Sequence, residues 1–154
     1  MFGKPLGEYL AFQKGVLALI VVVGLARLGL SLAGLPDSGV RWLSMNVPLW
    51  LGTLYYGVAA HRTGFGSYRQ LLPLVFLQLL PLHAIAVAGI ALAAAGHPNI
   101  LAAPEYGGLV SPWRHAAAHL TLGLAIPTLL LWGVASLTLR ITRTLGRRPA
   151  TATP

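Results

Sequence analysis

Two histidines four residues apart, in the stretch Trp113-Arg114-His115-Ala116-Ala117-Ala118-His119, are the residues whose type and spacing most suggest chemistry. On a helix this spacing sets both imidazoles on one face, where neutral rings can take zinc or copper. His97 and Glu105, on the loop that precedes this stretch, join the same candidate metal set. His83 and His119 make a different pair, two axial ligands for a haem b, with Gly89 and Gly123 leaving room for the ring. Arg27 and Asn46 add a fixed cation and an amide, suited to an anionic or carbonyl-bearing ligand. The metal signal itself is weak, because the histidine pair lacks the glutamate of a metalloprotease motif. The chain has no cysteine, which excludes disulfides, thiolate metal sites and iron–sulfur clusters. No carboxylate lies in an apolar core to act as acid or base or to orient a Ser-His pair, so hydrolytic chemistry is not expected.

The elements that must position these groups are set by composition. Of 154 residues, 56% are apolar and 9% charged, and the mean hydropathy is +0.72; this is the profile of a chain whose solvent is lipid. The net charge of +8 would suggest nucleic acid in a soluble protein, but here the basic residues cluster at the ends of apolar segments. Lys4, Lys14, Arg62, Arg69, Arg140, Arg143, Arg147 and Arg148 fall at the N-terminus, the second loop and the C-terminus, against Arg41 and Arg114 on the other side. The positive-inside rule then places both termini in the cytoplasm. The basic tail is expected to meet anionic lipid rather than nucleic acid.

Four apolar segments follow, at about 8–34, 40–60, 70–95 and 112–144. The first is long enough to span. Ser31-Leu32-Ala33 resembles a leader cleavage site, but the basic start is long and Arg27 interrupts the approach, so a retained helix is expected. The turn Leu35-Pro36-Asp37-Ser38-Gly39 makes the first two helices neighbours. Pro48 is expected to kink the second. The third carries Pro73 and Pro81 and an Ala-rich second half that reads as a packing surface. A long loop, 96–111, precedes Ser111-Pro112, a capping residue followed by proline at the first helical position. Residues 149–154 read as a disordered tail. The fold expected is therefore an all-α, antiparallel four-helix transmembrane bundle forming a single domain over 1–148 in the inner membrane.

Helix rise converts residue number to depth at about 1.5 Å per residue. Arg27, Asn46, His83 and His119 then fall at one level, roughly 10 Å below the extracytoplasmic face. Ionisable groups at that depth are costly and normally face a bundle interior or cavity. Three readings follow. The four side chains satisfy one another as structural glue in an assembly subunit, with a second copy or a larger membrane complex as partner. They bind a lipid, a quinone or another small amphiphile between helices, beneath the long loop. Or the imidazoles hold haem or metal. A binding or accessory role is favoured over catalysis, with a haem- or quinone-linked redox subunit as the alternative. Outside the reading in which His115 and His119 hold a metal together, depth sets His115 with the interface beside Trp113 and Arg114 and His119 with the buried layer.

Overall fold

Inside a bilayer the backbone must satisfy its own hydrogen bonds, which leaves helices or closed barrels. This chain takes the helical solution. The computed structural model describes residues 1–102 and 111–146, and among the described residues there is no strand. The helices are α1 (Leu6–Leu32), α2 (Asp37–Val40), α3 (Asn46–Arg62), α4 (Tyr68–Ala94), α5 (Pro112–Leu120) and α6 (Leu122–Gly146), with one 3₁₀ turn at Ile100–Ala102. Among the described residues three stretches are long and apolar enough to cross a membrane: Leu6–Leu32, Tyr68–Ala94 and Pro112–Gly146.

The central element is α4, which packs against α1, α3, α5 and α6. Its start is set by a capping box, in which Gln70 Oε1 accepts from both the Ser67 backbone N–H (2.8 Å) and the Ser67 hydroxyl (2.9 Å). Its buried side carries Leu71, Leu74, Val75 and Leu79, which meet Tyr9 and Ile20 of α1, Leu49 and Tyr56 of α3, and Leu131, Ala135 and Leu139 of α6. The opposite faces of α1 and α6 present Leu19, Val22, Leu25, Leu129, Leu130 and Leu137 outward. Lipid is the solvent that makes such a surface stable. The backbones of α3 and α6 come close at Gly57, where a Cβ would lie 2.7 Å from the Ala135 carbonyl oxygen.

Two features depart from the sequence expectation. The second segment does not run as one helix from Val40. After the single turn of α2 the chain bends, and α3 starts at Asn46. Pro48 therefore occupies the first turn of α3, where no helical donor is needed, and initiates the helix instead of kinking it. The fourth segment starts at Pro112 as expected but is broken at Thr121, whose backbone (φ −112°, ψ −91°) is not helical. Its hydroxyl donates back to the Ala117 carbonyl at 2.8 Å.

The chain after α4 folds back onto the bundle. Asn99, which is buried, donates from Nδ2 to the Gly89 carbonyl at 2.8 Å, and the Ile100 N–H donates to Ser31 Oγ of α1 at 2.9 Å. Gly89 makes room for this returning segment: a Cβ there would come within 2.7 Å of Leu101 Cβ and 2.9 Å of Asn99 Oδ1. Its small side is filled by protein, not held open for a macrocycle.

Candidate functional site

His83 projects from the second half of α4 and His119 from the last turn of α5, and their Nδ1 atoms stand 3.1 Å apart. His83 is buried and His119 half-buried. The depth reading of the sequence therefore brings together two of its four residues. Arg27 lies on α1, half-buried, with its Nε buried and without a hydrogen-bond partner among the described residues. Asn46 is exposed at the first position of α3. A helix running on from Val40 would bury Asn46 six residues down, but the chain bends before α3 and leaves Asn46 at the helix start. Among the described residues no hydrogen bond joins Arg27 or Asn46 to either imidazole.

His115 stays beside His119. Its ring lies 5.0 Å from that of His119, tilted by 35°, so the i, i+4 neighbours do share a face. His97 is exposed on the connection after α4, and Glu105 lies outside the described residues. Among the described residues no group of three or more His, Cys, Asp or Glu side chains converges to hold a metal. Axial haem ligation also does not fit: it needs the two imidazoles on opposite sides of a macrocycle, whereas these nitrogens touch directly.

No protein-family model, curated protein or solved structure matches this chain. What the site does must be read from its own atoms.

The local helix chemistry favours one pair of tautomers. Pro127 has no N–H, so the carbonyl four residues before it, that of Gly123, loses its helical donor. His83 packs against Gly123, where a Cβ would lie 3.2 Å from His83 Cε1, and the Gly123 backbone is the polar neighbour of its ring. His83 Nε2 is otherwise buried without a well-formed hydrogen bond. The assignment that satisfies most atoms turns His83 Nε2–H toward that carbonyl. His83 Nδ1 is then the acceptor, His119 Nδ1–H the donor, and the free lone pair falls on His119 Nε2. The pair thus presents one basic nitrogen, held in orientation from behind by a buried partner, beside a second imidazole.

A second polar group was not singled out from the sequence. Gln13, Thr53, Tyr56 and Gln78 are each at most 1% exposed, deep among α1, α3 and α4. Tyr56 Oη donates to Gln13 Oε1 at 3.1 Å, and Gln78 Nε2 donates to Thr53 Oγ1 at 2.7 Å. The Thr53 hydroxyl in turn donates to the Leu49 carbonyl at 2.8 Å. The available signal was the presence of two glutamines in otherwise apolar spans. Tyr56 was masked by Tyr55, with which it reads as an interfacial aromatic pair. A groove of about 220 Å³ between the N-terminal residues Met1 and Phe2 and Leu72, Pro73, Phe76 and Thr128 is almost wholly apolar and touches neither polar group.

Proposed function

We propose that this chain is a multi-pass protein of the inner membrane, an antiparallel four-helix bundle with both termini in the cytoplasm and a single domain over 1–148. Its role is binding: the His83–His119 pair takes the polar headgroup of a small amphiphile in the extracytoplasmic half of the bilayer. The short connection at 63–67 between α3 and α4 and the distribution of Lys and Arg support the topology. At 17 residues, α3 is about 25 Å long, and α2 with the bend before α3 supplies the rest of the second crossing.

The observation that carries the binding role is the orientation of His119, whose Nδ1 is engaged by buried His83 while its Nε2 is left free on a half-buried ring. A free imidazole lone pair accepts a hydrogen bond, so the matching headgroup carries a hydroxyl, as a quinol or a hydroxylated lipid does. Arg27, with its unpartnered Nε, is a candidate for a second contact to a carbonyl or anionic group of the same ligand. The test is native mass spectrometry and solvent extraction of the detergent-purified protein. A bound amphiphile is expected in the wild type and depleted in His119→Ala. An identical ligand profile in the two proteins sinks the proposal.

A further inference from the structure

Three interhelical contacts stack along the bundle, each joining a different pair of helices. Tyr56 and Gln13 join α3 to α1 at 3.1 Å, Gln78 and Thr53 join α4 to α3 at 2.7 Å, and His83 and His119 join α4 to α5 at 3.1 Å. Thr53 is three residues from Tyr56 and His83 is five from Gln78. On the antiparallel topology proposed above, successive rungs are therefore about 4.5 and 7.5 Å apart along the axis. The first two are adjacent in space: a Cβ at Gly52 would lie 2.9 Å from Gln78 Oε1 and 2.5 Å from Cγ1 of Val16, one turn along α1 from Gln13.

Two rungs leave a buried atom unpaired, Gln13 Nε2 and Gln78 Oε1, and on the third His83 Nε2 has only the Gly123 carbonyl beside it, without a well-formed hydrogen bond. Structural glue alone does not explain this pattern. Interhelical hydrogen bonds in membranes are weak, while a polar atom left unsatisfied in hydrocarbon costs more than such a bond returns. Sites with polar partners and a free donor or acceptor are where buried water belongs. The ladder also continues at both ends. Tyr9, one turn before Gln13, donates to the Met1 carbonyl at 2.9 Å, and His115 stands beside His119.

We infer that these rungs form a proton path through the bundle, hydrated at the unpaired atoms, with His83 and His119 handing the proton between side chains. A proton arriving from the α5 end adds to His119 Nε2. The Nδ1 proton of His119 passes to His83 Nδ1, and the Nε2 proton of His83 leaves the Gly123 carbonyl for water between the helices. One proton enters and one leaves, each ring ends in its other tautomer, and a return flip resets the pair. No single helix carries a polar stripe along its whole length; the path exists only when four helices each contribute a part. It goes beyond ligand binding and does not require the amphiphile.

The test uses the full chain in phosphatidylcholine–phosphatidylglycerol vesicles loaded with potassium and a pH-sensitive dye, with valinomycin setting the potential. The wild type is expected to acidify the lumen several-fold faster than protein-free vesicles. His83→Ala and His119→Ala should fall to the protein-free rate, and Gln78→Met, which keeps shape without the amide, should slow it several-fold. Thr142→Val, off the ladder, should conduct as wild type. If the histidine variants fail to fold, Gln78→Met decides. A wild-type rate equal to that of protein-free vesicles, or unchanged conduction in the folded ladder variants, overturns the path. A ligand lost with His119→Ala in the absence of flux overturns the path and leaves the binding role standing.

Discussion

His83 packs its ring edge against Gly123 so closely that a Cβ there would lie 3.2 Å from Cε1 and 3.1 Å from the Ala118 carbonyl oxygen. The glycine is therefore part of the imidazole's seat. Replacing it by valine must displace either the ring or the backbone at the α5–α6 break, and the backbone is the stiffer of the two. Gly123→Val is expected to cost about 1–3 kcal/mol, the usual range for overpacking, read as a lower midpoint of thermal unfolding in detergent. The same substitution should separate His83 from His119 and abolish their through-bond nitrogen coupling in NMR.

Pro127 controls the same seat from four residues away. Pro127→Ala restores an N–H that claims the Gly123 carbonyl for the helix, and so takes away the acceptor that fixes the His83 tautomer. The ¹⁵N shifts of His83 should then move toward a mixture of tautomers while the helix content stays constant. Unchanged shifts would show that the Gly123 carbonyl does not orient the ring.

The Thr53–Gln78 contact makes a prediction by asymmetry. Thr53→Val leaves the Gln78 amide buried with both ends unpaired, a loss of about 1–3 kcal/mol. Gln78→Met removes the amide altogether and should be close to neutral, because both its bonded and its orphaned atom disappear together. The double variant should therefore be more stable than Thr53→Val alone. A double-mutant cycle on unfolding midpoints measures it, and simple additivity would contradict the geometry.

These cases show how far the sequence could be read. That the chain is helical and three of its stretches suit a membrane was legible, because length and hydropathy decide it. The meeting of His83 with His119 followed from depth along two uninterrupted runs. The depth of Asn46 is not legible in the same way, because the chain bends between Val40 and Asn46 and Pro48 begins a helix there, which only tertiary packing decides. Gln13 and Tyr56, 43 residues apart, carry no charge and no periodic signal, so nothing local marks them as partners.

The connection after α4 is held by two side chains, and each can be removed singly. Asn99→Ala loses the bond to the Gly89 carbonyl and leaves that buried region without its amide, a cost of about 1 kcal/mol or more. Ser31→Ala removes only the acceptor for the Ile100 N–H. Amide exchange at Ile100 and Leu101 should speed up in both variants, more in Asn99→Ala, while exchange in the middle of α4 stays slow. Equal, unchanged exchange at Ile100 would mean that the segment is held by packing of Leu101 on Gly89 alone.

The topology can be tested cleanly because the chain contains no cysteine. Single cysteines at Arg41 and Trp113 should react with a membrane-impermeant thiol reagent applied outside intact cells, whereas cysteines at Arg62 and Arg69 should react only after the membrane is opened. Arg41 lies on the bend between α2 and α3, and Trp113 on the first turn of α5; both are exposed. If Arg41, Arg62 and Arg69 label from one side and Trp113 from the other, α3 does not cross with α2, and the membrane is spanned by the three long stretches alone. In that arrangement the Gln13–Tyr56 and Thr53–Gln78 contacts would involve a helix that enters the bilayer and returns, and the ladder would open to one side of the membrane only.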